Sequence, residues 1–527
     1  MLGFTGLGLL TLSAALYGLY LLCLAIWRLY FHPLAGFPGP KLAALTLWYE
    51  CYFDVFLVRD PFWSTVLSQL LRFVHRKGGQ YFKEIDRLHS IYGPIVRISP
   101  HELHVKDPEW YSELYPPGNR KRDKYAWFLS EGTDATSSAT VHHHVHRQRR
   151  STLSPSFSKQ SILGHEATLI EPAISSVCES LDEYARQGTP VVLGTVFASL
   201  TVDVVLQIWF GASPGQTRRW DFFPSWTEVL PPLLGGSHFL RHFPQAFLLF
   251  GLLPSSVVKG RPDIAFIFNL QESSANLASS AMRSEKPSVL RTLRSSALPA
   301  NEKSEDRLSA EGFSFVMAAV ESTAQTLAST LYHLVDNPPI LQELRAQLEQ
   351  LLEENQGQLS WTALEQLPYL RHIVMEGMRV TSSVTGRLAR IAPDEVLQYK
   401  DWTIPPGTPV SMDHHFTHLD PSIFPNPRRF DPGRWDAAAS AGNPLDRYLL
   451  PFGRGSRMCI GINLARAVIY RALAALVLRY DMELFETTRE DVDIVRDNLM
   501  GAVKAGSNGV RMKLSERKGN GLKLDNP

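Results

Sequence analysis

The strongest hydrophobic pattern is at the start of the chain. Residues 1–27 contain no Asp, Glu, Lys or Arg, and from Leu7 to Trp27 they are mostly Leu, Ala, Tyr and Gly. A bilayer core of ~30 Å needs about 20 apolar residues in a helix, so this stretch predicts a membrane anchor over 1–27. A cleaved signal peptide usually has a charged start and a shorter apolar run, and neither is present. Arg28, His32 and Lys41 follow the span and nothing basic precedes it, which places the body in the cytosol. Pro33 and the run Pro38-Gly39-Pro40 then stop the helix and act as a stiff hinge. Further on, Ile95–Ser99 and Glu102–Val105 read as two short strands around Pro100-His101. A long helix is predicted from Ala310 to Val335, with Ser309 as N-cap and Asn337-Pro338-Pro339 as the stop. Leu341, Leu344, Leu348 and Leu351 give an amphipathic helix at 3–4 spacing. Residues 220–260, rich in Phe, Leu and Pro, read either as core or as a membrane-dipping entrance for apolar substrates.

Composition narrows the function. With 53 Lys+Arg against 52 Asp+Glu the chain lacks the basic surplus of a nucleic-acid binder. Four cysteines (Cys23, Cys51, Cys178, Cys459) in 527 residues make no disulfide framework, so chemistry is the better reason for any one of them.

The informative stretch is Phe452-Gly453-Arg454-Gly455-Ser456-Arg457-Met458-Cys459-Ile460-Gly461, which follows a loop and opens an apolar helix. A cysteine at a helix start meets the positive end of the macrodipole, which favours thiolate. Gly453 and Gly455 permit a tight turn, Arg457 supplies a cation, and Gly461 lets a flat ligand come close. Such a site suits a soft anionic axial ligand to haem iron, although a buried structural cysteine is ordinarily the commoner case.

Phe452, Gly455, Arg457, Cys459 and Gly461 match the F-x-x-G-x-R-x-C-x-G signature of cytochrome P-450 monooxygenases, and here the chain resembles that family. Three further segments fall in the family's order. Glu376-Gly377-Met378-Arg379 is similar to its E-x-x-R helix. Phe430-Asp431-Pro432-Gly433-Arg434-Trp435 is similar to the loop that supplies a third charge, with Gly433 where the family often has Glu. His146 and Arg150 lie one helical turn apart, and the resemblance implies that they bind the haem propionates, together with Arg390, or Arg387 in its place. The run His142, His143, His144 and His146 invites a metal reading, but no cysteine or carboxylate cluster accompanies it. Ala318-Ala319-Val320-Glu321-Ser322-Thr323 resembles the family's A-G-x-(D/E)-T-(T/S), in which the acid and hydroxyls bring protons to the oxygen being cleaved. Ala319 replaces the usual Gly and Ser322 the usual Thr.

The resemblance implies a mostly α fold with a minor β region around one haem b, with Cys459 as the iron ligand. Phe452, Gly453, Arg457 and Gly461 would shape the cofactor pocket, and Glu321, Ser322 and Thr323 would be catalytic. It also implies electrons from NADPH through a flavoprotein reductase, with cytochrome b5 as a second donor, and insertion of one atom of O2 into a lipophilic substrate. Arg147 and Arg149 are candidates for the reductase-docking face. The closest likeness is to fungal, microsomal, trichodiene-oxygenase-like enzymes, which suggests an endoplasmic-reticulum anchor and a terpenoid or other secondary metabolite. The organisation read from the chain is anchor (1–27), hinge and start of the catalytic unit (28–56), an unusual insertion or retained intron (57–78), catalytic domain (79–517) and flexible tail (518–527). Two other readings stay open: a haem-thiolate isomerase or dehydratase that uses no net oxygen, and a non-enzymatic haem-binding membrane protein.

Overall fold

The computed structural model describes residues 6–56, 78–118, 120–128, 135–245 and 262–517. The segments read as insertion (57–77 of it) and tail (518–527), and the 246–260 part of the candidate entrance, lie outside the described residues.

The apolar start folds as a helix, Gly6–Ile26, which runs on through a wider turn at Trp27–Phe31 until His32 and Pro33 end it. Its Gly8–Phe31 stretch carries one charge, Arg28 near its end, and its most apolar 18 residues are unburied. At 1.5 Å per residue these 24 residues reach ~36 Å, enough to cross a bilayer core. The helix Leu193–Phe210 is comparably apolar, but it is buried against the helix Glu305–Val335 and belongs to the core.

The catalytic body is mostly helical. Glu305–Val335 crosses its centre and packs on Leu193–Phe210, Pro262–Arg283, Pro368–Thr381 and Ile462–Arg479. That central helix starts one turn earlier than the sequence suggests: Ser304, not Ser309, accepts the N–H of Arg307. Both serines suit a cap, and the ion pair between Arg307 and Glu311 (2.9 Å) extends the helix past Ser309. The leucine-spaced segment forms Pro338–Glu354, with Leu341, Leu344 and Leu348 buried.

Gly312 sits where the central helix meets Leu193–Phe210. A Cβ there would lie 2.4 Å from Trp209 Nε1 and 2.5 Å from the Phe210 ring. Gly312→Ala is therefore expected to destabilise the fold by about 1–3 kcal/mol, read as a lower urea midpoint at unchanged m-value.

The main sheet is small, in the order Ile95–Arg97, Leu103–Val105, Pro409–Ser411, Arg390–Ile391, Asp123–Lys124. Its first two strands are the predicted pair, antiparallel with Ile95 opposite Val105. Its far edge sets Lys124 directly opposite Arg390. In the 220–260 stretch, Phe222, Trp226 and Leu230 are core residues within or beside the helix Ser225–His242, whereas Trp220 is 81% exposed.

Candidate functional site

The cysteine loop is built by glycine turns and backbone-directed hydrogen bonds. Gly453 and Gly455 take φ of +64° and +76°, and a Cβ on Gly455 would strike the Pro116 carbonyl oxygen at 2.4 Å. The Cys459 N–H donates to the Phe452 carbonyl (2.8 Å), closing the loop, and the helix Ile462–Arg479 begins just beyond Gly461. Arg457 is spent on this architecture: Nη1 and Nη2 donate to the carbonyls of Thr140 and Val141, both at 2.6 Å. Arg150 Nη1 donates to the Met458 carbonyl (2.7 Å), beside the cysteine.

Cys459 is an unpaired thiol with accessible surface. Burial nevertheless pushes it above its ordinary value, while the Gly461 N–H and Arg150 pull it down. The helix-start argument foresaw a lowered thiol; the cysteine instead lies three residues before the helix, and desolvation outweighs the local donors. The sulfur thus has accessible surface in a desolvated setting.

Around the cysteine stand five basic side chains. Burial and mutual repulsion depress His146 to about 3, Arg457 to about 9 and Lys124 to about 7. Burial lowers Arg150 and Arg390 as well. None of these five has a carboxylate within ion-pair distance among the described residues, and His146 Nδ1 is buried without a partner. Like charges directly opposite on a ladder, as Lys124 and Arg390 are, destabilise a sheet unless an anion joins them. Two haem propionates supply such anions, and Cys459 supplies the soft ligand, so the residues present fit haem.

Arg390 and not Arg387 belongs to this group. Arg387 is taken by Glu50 (2.8 Å) and Glu102 (3.2 Å). Lys124 escaped sequence reasoning, because no local motif marks a residue whose partner arrives by strand pairing from position 390. Arg149 is no docking residue: its guanidinium is bound to Glu302 (2.8 Å) and only 12% exposed. Arg147 stays exposed, and among the histidine run only His142 and His144 reach solvent, with their rings 5.9 Å apart.

The central helix supplies the second wall. Ala318 is exposed at mid-helix, with Ala319, Glu321 and Ser322 half-exposed. Burial alone pushes the Glu321 carboxyl up to about 7, and it has neither hydrogen bond nor ion pair among the described residues. Ser322 Oγ donates to the Ala318 carbonyl (3.1 Å), and the Ser322 carbonyl accepts from Thr326 Oγ1 (2.8 Å). Thr323 is buried.

Behind the site, Glu376 receives Arg379 Nη2 (2.7 Å) and Nε (2.9 Å), Arg434 Nε (3.0 Å) and the Asp431 N–H (3.0 Å). The two guanidiniums also donate to carbonyls of Pro425, Pro427, His418 and Arg429. The triad read from the sequence is thus closed, and it gathers the 418–431 segment onto the E-x-x-R helix.

The sequence profile of the family described as Cytochrome P450 matches residues 60–505. The chain is 38% identical to the tryptophan 6-hydroxylase of Fusarium equiseti, over 94% of each protein. It is 37% identical to the conidiogenone synthase of Penicillium rubens, over 93% of this chain and 96% of that one. It is 37% identical to the N-acetyltryptophan 6-hydroxylase of Emericella nidulans, over 95% and 96%.

Proposed function

This chain belongs to the cytochrome P450 family of monooxygenases, and from that premise we propose that it hydroxylates a lipophilic secondary metabolite, of terpenoid class first, at the endoplasmic-reticulum membrane. Electrons come from NADPH through a separate flavoprotein reductase, with cytochrome b5 as a second donor. The observation that carries the reading is the unpaired, accessible Cys459 thiol beside buried basic side chains that have no carboxylate partner among the described residues.

Haem bound there supplies the centre at which dioxygen is reduced and cleaved, one atom going to substrate and the other to water. Cys459 holds it by an anionic sulfur, and His146, Arg150, Arg390 and Lys124 hold its propionates. Phe452, Gly453, Arg457 and Gly461 shape the cysteine loop around it. Ala318 and Ala319 present methyl groups that exclude water and suit an apolar substrate. Glu321, poised near neutrality, hands over a proton, and the Ser322 and Thr323 hydroxyls lie beside it along the helix. The apolar helix Gly6–Ile26 anchors the unit as residues 1–27, with 28–56 as hinge and 79–517 as catalytic domain. The side chains of Tyr30, Phe31, Leu42, Trp48, Tyr52 and Phe56, exposed just past the anchor, suit a membrane interface.

A reduced-CO difference spectrum of the purified chain tests the ligand, and incorporation of ¹⁸O from ¹⁸O2 into product tests the reaction. The family's band with labelled product is expected. Haem without that band, or turnover under argon, overturns the reading.

Glu321 donates only when protonated, so product formation is expected to fall as pH rises through about 7. Glu321→Gln is expected to remove that limb and slow turnover about 100-fold. A rate profile from pH 6 to 8 checks both. The Ala319 methyl and the unbranched Ser322 loosen control of the proton path. The Ala319→Gly/Ser322→Thr variant is therefore expected to convert a larger share of its NADPH into product, measured as the ratio of the two.

A further inference from the structure

Away from the haem pocket, a buried polar cluster joins the hinge behind the anchor to the end of the helix Ser225–His242. Glu50 and Asp54 come from the consecutive turns Trp48–Cys51 and Tyr52–Phe56, and His242 closes the helix. One ligand-type atom from each lies within 4.8 Å of the other two.

Each carboxylate has one oxygen satisfied by protein and one left over. Arg387 Nη2 (2.8 Å), Arg241 Nη1 (3.8 Å) and Trp127 Nε1 (3.4 Å) all address Glu50 Oε1, while Oε2 is buried without a partner. The Tyr81 N–H donates to Asp54 Oδ1 (3.2 Å), while Oδ2 is likewise without one. The group closest to Asp54 Oδ2 in charge terms is His238 Nδ1 at 3.4 Å. His238 Nε2, however, lies 2.8 Å from the Asp497 carbonyl and so carries the proton, and Nδ1 lies 3.3 Å from Arg241 Nη1 as an acceptor. Asp54 Oδ2 therefore faces a lone pair. His242 Nε2 is the third buried atom without a partner.

Among the described residues Arg387 pairs with Glu50 and Glu102, and Arg241 with Glu50, all through Oε1 on the Glu50 side.

We propose that Glu50, Asp54 and His242 bind a divalent metal ion of the zinc class, which clips the Ser225–His242 helix to the hinge behind the membrane anchor. Two carboxylate oxygens and one imidazole nitrogen form a three-ligand set that zinc completes with water, whereas calcium and magnesium prefer oxygen alone. Bonds of about 2.0–2.2 Å bring ligand atoms to about 3.3–3.5 Å apart, which small side-chain torsions achieve here.

Full-length haem-loaded protein in detergent, washed with chelator and titrated with ZnCl2 against a chromogenic chelator, tests the site. About one zinc per chain is expected to bind at micromolar concentration, and Asp54→Asn and His242→Ala are each expected to lose it with haem content unchanged. Should Asp54→Asn fail to fold, His242→Gln, at a half-buried helix end, decides by itself. The His142→Ala/His144→Ala variant removes the exposed histidine pair and is expected to keep the zinc. No zinc on the unaltered protein, zinc that survives loss of His242, or zinc lost with His142 and His144 overturns the proposal. The CO band of the same samples reports the haem site separately.

Discussion

Cys459→Ala is expected to abolish the family's reduced-CO band and to lower turnover by at least about 1,000-fold, the scale of losing a group that acts at the reacting centre. No other cysteine can substitute. Cys23 lies in the anchor, Cys51 is buried beside Asp54, and Cys178 is buried against Tyr480. The basic cluster of His146, Arg150, Arg390 and Lys124 does not depend on the sulfur, so the variant is expected to retain a measurable share of its haem. That separates loss of ligand from loss of cofactor. Porphyrin content, determined after extraction, and the CO spectrum of the same sample check it. A variant that keeps the band, or that still turns over substrate, contradicts the assignment of the thiolate.

Glu376→Gln carries the second large effect. The change is nearly isosteric, so packing survives while the negative charge between Arg379 and Arg434 disappears. Glu376 and Arg379 are fully buried and Arg434 nearly so, which leaves two guanidiniums uncompensated away from water. Breaking a buried ion pair from one side costs about 3–5 kcal/mol. The unfolding midpoint in urea is expected to fall accordingly. Haem is also expected to leave faster, because His418, whose carbonyl Arg379 holds, accepts the Leu450 N–H through Nε2 just before the Cys459 loop. A Glu376→Gln protein with an unchanged midpoint and unchanged haem loss would show that the triad is not what holds that loop.

The residues legible in the sequence share one property: their meaning is set within a few positions. The anchor is a continuous apolar run, and the Cys459 loop requires glycines at fixed offsets that Gly453 and Gly455 use for positive φ. The Glu376/Arg379 pair needs only one helical turn, and Glu321 stands out because its neighbours are apolar. Reasoning failed where a distant partner decided the outcome. Arg149 reads as a free surface base until Glu302 closes on it, and Arg387 and Arg390 look interchangeable until Glu50 and Glu102 claim the first. The Cys459 thiol is raised, against the local expectation, because burial is a property of the whole fold.

By itself, then, the sequence determined the family, the mostly helical plan with an apolar N-terminal helix long enough to span a membrane, and the cysteine proposed as iron ligand, since these depend on periodicity and short fixed spacings. Only the tertiary structure decided which charges are compensated. Lys124 meets Arg390 through strand pairing, and Glu50 and Asp54 meet His242 across nearly 200 positions of chain. Coulomb energy depends on distance in space and on exclusion of water, and neither quantity is written in the order of residues.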